Sequence, residues 1–294
     1  MPQDFLSRLT KEILLFDGAM GTMLQARGLA PGEPSEKWNL DHPEVVKQIH
    51  CEYVEAGADI LITNSFGGSP YKLQNCGLGN KIYEVNYTAA KLAARAASGK
   101  AYVAGSVGPT GKFLQPLGEV APEEMYDGFV QQIQALRDGG ADLICVETMT
   151  DSNEAVLAIK AAKEVTTLPV IASMTYEKGK KGYRTIMGHT IEDSVKALLD
   201  AGADVVGTNC GNGIEPMIEI VATMRKITQA PLLAEPNAGL PKLIEGRPVY
   251  SETPEIMAAR LPELIRAGAN IVGGCCGTTP EHIRKFREVL TTVK

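Results

Sequence analysis

The sequence predicts an α/β protein folded as a single (β/α)8 TIM barrel, in which parallel strands alternate with helices around a closed ring. Three observations predict it: an internal repeat, further apolar segments between its copies, and a helix-like stretch after each predicted strand. The length of 294 residues suits this class, because such barrels typically span about 250 residues.

The repeat is a helix end followed by a buried strand. Each copy has a glycine where a helix C-cap is expected, then Ala-Asp or Ala-Asn, then a short apolar run. The copies are centred on Gly57, Gly140, Gly202 and Gly268. Each interval between them is long enough for two strand–helix units, so a further strand is expected in every gap.

Apolar, β-rich segments occupy these gaps, and another one opens the chain. Together they predict strands at 13–17, 59–64, 102–107, 143–147, 170–174, 205–209, 232–235 and 271–275. Helices are predicted at 43–56, 82–97, 123–138, 152–164, 191–201, 216–228, 253–267 and 280–290. A doubly wound open sheet is the alternative, but the regular spacing and the lack of a phosphate fingerprint in the first unit favour the barrel. No composition shift marks a linker, so we expect one domain over 1–294.

Composition excludes several classes of function. The net charge is −6 and no basic stripe is present, so we do not expect a nucleic-acid partner. No apolar run is long enough to cross a membrane, and the N-terminus lacks the order of a signal peptide. We therefore expect a cytoplasmic protein. The basic cluster between Lys178 and Arg184 is broken by glycines and predicts a solvated loop.

The strand ends carry the reactive residues, and in such barrels the active site lies at the C-terminal ends of the strands. Three of the six cysteines fall there: Cys210 at the end of the sixth strand, and Cys275 and Cys276 at the end of the eighth. Three thiolates at one rim predict a Zn²⁺ site with an open fourth position. The alternative is that they are small buried hydrophobes, which is our interpretation of Cys51, Cys76 and Cys145.

Two adjacent cysteines can share one ion only if the strand bends, because neighbouring side chains on a regular strand point to opposite faces. Gly273, Gly274 and Gly277 allow that bend. A cysteine-rich zinc is a poor Lewis acid for hydrolysis, but it can hold another thiolate that stays nucleophilic.

Two carboxylates accompany the cysteines at the strand ends. Asp17 ends the first predicted strand and Glu147 ends the fourth. Either could be structural, Asp17 as a helix N-cap and Glu147 in an ion pair. Both would also suit a substrate ammonium, and the glycine-rich turn after Asp17 could offer backbone N–H groups to a carboxylate. A thiol-bearing α-amino acid fits these groups together.

Six segments carry a resemblance to a known family. They are DGAMGTMLQ at 17–25, DILITNSF at 59–66, GSVGPT at 105–110, GTNCG at 207–211, PNAGLP at 236–241 and GGCCGTTP at 273–280. With them the chain resembles the homocysteine S-methyltransferase family, and within it the homocysteine-binding domain of the cobalamin-dependent methionine synthase branch. The resemblance spans almost the whole chain.

The resemblance implies a (β/α)8 barrel that binds Zn²⁺ through Cys210, Cys275 and Cys276. Homocysteine sulfur would be the fourth ligand and would be methylated to methionine. It further implies contacts to homocysteine from Asp17, Gly18, Ala19, Met20, Gly21, Glu147 and Asn237. The methyl donor it implies is methylcobalamin, free or carried by a corrinoid-binding domain or protein.

Alternative hypotheses stay open for the donor and for the class of protein. S-methylmethionine or betaine could serve as donor, and a cationic donor benefits from aromatic rings around it. Only 5% of residues are aromatic, and the rim candidates are Phe66, Phe113 and Tyr176, with Trp38 outside the strand ends. A zinc or thiol redox sensor is the alternative of another class. A barrel lyase or aldolase is disfavoured because no predicted strand end carries a lysine.

Overall fold

The structure is a computed structural model that describes residues 5–244 and 247–292. Eight parallel strands form one sheet in which each strand pairs with its neighbours in the chain. They are β1 (Leu14–Leu15), β2 (Ile60–Ile62), β3 (Tyr102–Val107), β4 (Leu143–Met149), β5 (Val170–Met174), β6 (Val205–Asn209), β7 (Leu232–Glu235) and β8 (Ile271–Val272). All the predicted strands are confirmed.

The sheet closes on itself between β1 and β2. A parallel bridge joins Phe16 to Ile60. The amide of Asp17 donates to the carbonyl of Ile60 at 3.0 Å, and the amide of Asp59 donates to Leu15 at 2.7 Å. The β1 strand also pairs with β8, so the ring is complete and the predicted TIM barrel is confirmed.

Helices surround the barrel. They are α1 (Phe5–Leu9), α2 (Gly21–Ala26), α3 (Trp38–Asp41), α4 (Pro43–Glu55), α5 (Pro70–Asn75), α6 (Ile82–Ala97), α7 (Pro122–Gly139), α8 (Ser152–Val165), α9 (Ile191–Asp200), α10 (Ile214–Ile227), α11 (Pro254–Arg266) and α12 (Pro280–Thr292). The predicted helices match α4 and α6–α12 to within two residues at each end. Among the described residues, no helix combines the length and apolar character that crossing a membrane requires.

Two apolar layers explain why the strands are apolar on both faces. One layer fills the barrel interior with alternate residues of the strands, such as Ala104, Leu143 and Cys145. The other lies between the strands and the surrounding helices. Cys145 is fully buried, as predicted, whereas Cys51 and Cys76 are only partly buried, contrary to the prediction. Phe5 and Leu9 of α1 belong to the interior layer, so this short helix covers the N-terminal end of the barrel.

The basic cluster is largely exposed to solvent, as predicted, but it forms a hairpin and not an irregular loop. Glu177–Gly179 and Gly182–Arg184 pair as an antiparallel hairpin, and Gly182 supplies the positive φ of 89° that its tight turn needs. Lys178 forms an ion pair with Glu219 at 2.7 Å. A second hairpin, Lys242–Ile244 with Arg247–Val249, was also not predicted.

Candidate active site

A cavity of about 390 Å³ opens where the strands end, as the barrel prediction requires. Three thiols and three carboxyl groups share its wall. They are Cys210, Cys275, Cys276, Asp17, Glu147 and Glu235. The predicted turn of Gly18, Ala19, Met20 and Gly21 lines the same cavity.

The three predicted cysteines converge on one point. Their sulfur atoms all lie within 4.8 Å of one another, and the Sγ atoms of Cys275 and Cys276 are 4.0 Å apart. The β8 strand stops at Val272, and the amide of Thr278 turns back to the carbonyl of Cys275 at 3.1 Å. This turn supplies the predicted bend, which lets adjacent cysteines face the same cavity.

Cys210 approaches the pair from β6 through an unusual backbone conformation. Its φ is +59°, in the left-handed region that non-glycine residues seldom adopt. Its amide donates to the carbonyl of Glu235 at 3.1 Å, at the end of β7. That hydrogen bond ties the strained residue to the neighbouring strand and keeps its sulfur in the cluster.

The thiols oppose one another's ionisation. Hydrogen bonds from Cys275 and Cys276 lower the pKa of Cys210 well below its usual range. The hydrogen bond to Cys210 in turn raises the pKa of Cys276, and the same is true of Cys275. One negative charge is thus easily held by the protein alone. Three thiolates at this spacing require a cation to neutralise them.

Asn237 lies beside the thiols and not on the cavity wall. Its side-chain amide contributes to the lowered pKa of Cys210, as the smallest of the causes. Its Oδ1 is buried and has no hydrogen-bond partner among the described residues. A buried acceptor without a partner is costly, so this oxygen marks a polar position next to the cluster.

Asp17 is held at the end of β1 by one hydrogen bond and lacks another. Its Oδ2 accepts from the amide of Ile62 at 2.9 Å, whereas its Oδ1 is buried with no partner among the described residues. Burial, with a smaller effect of the nearby charge of Glu147, raises the pKa of Asp17 well above its usual range. The carboxyl group is therefore poised to accept a proton or a cation.

The turn after Asp17 is closely packed against the β8 loop. A side chain at Gly18 would approach the Thr278 Oγ1 to 2.7 Å, which explains the glycine. The amide of Ala19 donates to that same Oγ1 at 3.1 Å. Among the predicted amide donors of the turn, the one from Ala19 is thus already used within the protein.

Glu147 lies at an irregular point of β4. The pairing of β4 with β5 shifts register between Val146 and Met149, and Thr148 has a φ of +59°. Ser106 donates to Oε1 of Glu147 at 2.5 Å, and Asn209 donates to Oε2 at 3.3 Å. Burial raises the pKa of Glu147 to about 7. The bulge aims this carboxyl group into the cavity.

Glu235 is a site residue that the sequence analysis missed. It ends β7, lines the cavity and is 7% exposed. No hydrogen bond reaches its carboxyl group from any residue that the structure describes. Burial and the charges of Glu147 and Asp17 raise its pKa well above the usual range. Its place at the end of a predicted strand was the available signal.

Comparison with known proteins gives a consistent result. The profile of the family described as "Homocysteine S-methyltransferase" matches residues 14–290. The chain is 33% identical over 309 aligned positions to methionine synthase from Mycobacterium tuberculosis. That alignment covers 99% of this chain and 26% of the relative, so the chain spans about a quarter of that protein.

Solved structures of similar fold include the homocysteine methyltransferase MmuM from Escherichia coli. The metallated form has 27% identity and a TM-score of 0.81, over 96% of this chain and 98% of that one. The oxidized form has a TM-score of 0.82 at the same 27% identity, over 97% and 99% of the two chains. The carboxyl transferase domain of Rhizobium etli pyruvate carboxylase shares the fold alone, with 15% identity, a TM-score of 0.56, and coverage of 98% and 49%.

Proposed function

The chain belongs to the homocysteine S-methyltransferase family, and from that premise we propose that it methylates the sulfur of homocysteine at a Zn²⁺ site to give methionine. The observation that carries the proposal is the convergence of Cys210, Cys275 and Cys276 within 4.8 Å. They share one cavity with the carboxyl groups of Asp17 and Glu147. A soft cation and an amino acid thus fit the two halves of a single site.

The chemistry of the donor set supports zinc. Cys210, Cys275 and Cys276 would hold it, since three thiols this close cannot all ionise without a cation and thiolates favour Zn²⁺. When bound, zinc would keep the sulfur of homocysteine as a thiolate at neutral pH. The buried Oδ1 of Asn237, which has no partner among the described residues, adds a polar group beside these sulfurs.

The carboxyl groups would bind the amino end of homocysteine. The free Oδ1 of Asp17 and the Glu147 carboxyl group both face the cavity and lack a basic partner within ion-pair distance among the described residues. A substrate ammonium supplies that partner and favours their ionised forms. Ser106 orients Glu147 through a 2.5 Å hydrogen bond. The backbone of Gly18–Gly21 is adjacent and suits the substrate carboxylate.

The methyl donor would approach from the mouth of the barrel, because the attacking sulfur, the methyl group and the leaving group must be collinear. Large apolar side chains are exposed in the loops that follow β2, β3, β5 and β7. They are Phe66, Phe113, Leu117, Ile186, Leu240 and Val249. These loops lie at the mouth of the barrel, so their side chains would contact a bulky donor that docks there. This arrangement favours methylcobalamin, presented by a corrinoid-binding domain or protein, as the donor.

A cationic donor such as S-methylmethionine or betaine finds little aromatic support here. The ammonium of Lys72 already lies over the ring of Phe66, 4.6 Å from its centroid. Tyr176 is fully buried and Trp38 nearly so. Phe113 is exposed at the rim, but one ring does not make a cage.

A donor panel tests the proposal. The zinc-loaded protein is incubated with homocysteine and methylcobalamin, S-methylmethionine or betaine, and methionine is quantified. We expect methionine from methylcobalamin and little from the two cations. Methionine formation with S-methylmethionine or betaine, and none with methylcobalamin, would overturn the corrinoid assignment without contradicting the zinc–thiolate site. Reversible thiol oxidation with no methionine from any donor would support a redox sensor.

A further inference from the structure

Asn209 joins the two halves of the cavity without lining it. It is the last residue of β6, is fully buried, and immediately precedes Cys210. Its side-chain amide points away from the thiols and toward the end of β4. There its Nδ2 lies 2.7 Å from the Oγ1 of Thr148 and 3.3 Å from Oε2 of Glu147.

The oxygen of the same amide completes the link. Oδ1 of Asn209 accepts hydrogen bonds from the amide of Thr148 and from Oγ of Ser173, both at 2.8 Å. A backbone N–H can only donate, so the contact to the Thr148 amide fixes which end of the side chain is oxygen. Both polar atoms of the Asn209 side chain therefore have hydrogen-bond partners within the protein.

This link crosses the barrel interior between strands that do not pair. The β4 and β6 strands are separated by β5 in the sheet, and Ser173 on β5 is the intermediate contact. Both ends of the link carry strained backbone. Thr148 and Cys210 have φ values of +59°, and among the described residues Ser98 is the only other non-glycine with positive φ.

We propose that Asn209 is a positioning residue that sets Glu147 relative to Cys210, and so places the ammonium of the amino acid at a fixed distance from its sulfur. This inference rests on the proposed function, since it assumes that Glu147 binds an ammonium. Asn209 acts through Glu147 and Thr148 and touches neither substrate nor metal. Asn209 thereby fixes the position of the ammonium-binding carboxyl group of Glu147 relative to the sulfur of Cys210.

Removal of the side chain leaves the thiol cluster supported. The carbonyl of Asn209 still accepts from Thr175 Oγ1 at 2.9 Å, and the amide of Cys210 still donates to Glu235 at 3.1 Å. Glu147 keeps its hydrogen bond from Ser106 but loses the one at Oε2. The variant should therefore keep its metal content, whereas the carboxyl group of Glu147 should lose its fixed orientation.

The test compares homocysteine with 4-mercaptobutyrate, which has the same chain and thiol but no amino group. Dissociation constants for both are measured by calorimetry on zinc-loaded wild type and Asn209→Ala. We expect homocysteine to bind about tenfold more weakly to the variant, the effect of losing a charge-assisted hydrogen bond. The constant for 4-mercaptobutyrate should stay within about twofold. Ser173→Ala, which removes a contact of Asn209 that does not involve Glu147, is the matched control and should keep the wild-type preference.

A second arm measures the dissociation constant of homocysteine for Asn209→Ala in a Glu147→Gln background. There, Asn209→Ala should weaken homocysteine binding by less than about threefold. If Asn209→Ala fails to fold, Asn209→Leu replaces it, because leucine has a similar volume and removes the same hydrogen bonds to Glu147 and Thr148 without adding a charge. Equal loss of both ligands, or an undiminished effect in the Glu147→Gln background, would overturn the inference. A wild type that does not bind homocysteine at all would instead overturn the proposed function.

Discussion

The two halves of the cavity are built in different ways. The thiol half, at the ends of β6 and β8, depends on backbone shape: a left-handed Cys210 and a glycine-rich turn that bends Cys275 and Cys276 together. The carboxyl half depends on side-chain hydrogen bonds and burial, as Asp17 and Glu147 show. The difference teaches that the main chain sets where the three sulfurs lie, whereas side-chain hydrogen bonds and burial set the direction and the charge of the carboxyl groups.

The largest effect should come from breaking the thiol half. Cys210→Ala removes one of the three sulfurs. We expect zinc affinity to fall by more than about a hundredfold, because mutating a residue that only hydrogen-bonds to a metal ligand can already lower metal affinity by that much. Methionine formation should fall with it. Metal analysis after dialysis measures the loss. Cys145→Ala is the control, because Cys145 is buried in the barrel interior away from the cluster. Wild-type zinc content in Cys210→Ala would contradict the metal assignment.

The next effect should come from the carboxyl half, and it should leave the metal in place. Asp17→Asn and Glu147→Gln should each weaken homocysteine binding by about tenfold to a hundredfold, the cost of about 1.5–3 kcal/mol for a charge-assisted hydrogen bond. Binding calorimetry and zinc content are measured together. Asp142→Asn provides a comparison, because Asp142 bonds the amide of Val103 at the opposite end of the barrel. Loss of zinc from either site variant would show that the two halves are not separable.

A smaller effect concerns pH. In the metal-free protein, burial raises the pKa of Glu147 from 4.5 to about 7. The protonated form therefore stabilises the fold fully below about pH 4.5, and that stabilisation is lost as the pH rises through about 7. Unfolding free energy from urea titrations at pH 5 and pH 8 should fall less in Glu147→Gln than in wild type. Besides burial, the charge of Glu147 raises the pKa values of Asp17 and Glu235, so the variant weakens their pH dependence as well, which changes the slope in the same direction. An unchanged slope in the variant would contradict the burial argument.

The smallest effect is expected at Glu235. No described residue donates to its carboxyl group, in contrast to Asp17 and Glu147, so nothing in the protein favours its ionised form. Glu235→Gln replaces a neutral acid with a neutral amide, and homocysteine affinity should change by less than about threefold. The same calorimetric assay decides it. A tenfold loss would place Glu235 among the ammonium-binding groups and extend the carboxyl half to β7.

The barrel and the thiol cluster could be predicted because each has a signal along the chain. The C-cap glycines, such as Gly57 and Gly140, mark where a helix ends shortly before the next strand, and buried strands form continuous apolar runs. The cysteines could be assigned because the ends of parallel strands meet at one rim. The two hairpins were missed because their glycines also fit a loop.

The contacts within the carboxyl half could not be predicted in the same way. The bulge at Glu147 and the link from Asn209 depend on side chains that reach across a strand, and no sequence spacing records such a contact. Asn237 shows the same limit, because its position at a strand end did not reveal that it packs against Cys210. Glu235 was within reach, since it ends a predicted strand.

The short helix α1 has a consequence for the order of events. With Phe5 and Leu9 packed into the interior layer, the N-terminal end of the barrel is filled, and the cavity lies at the opposite end, where the strands end. A substrate that enters at that end would also leave by it. Under the proposed function, homocysteine at the bottom of the cavity would be covered once a bulky donor docks above it, and methionine would leave only after the spent donor. Binding would then be ordered with homocysteine first, and release would be ordered with methionine last.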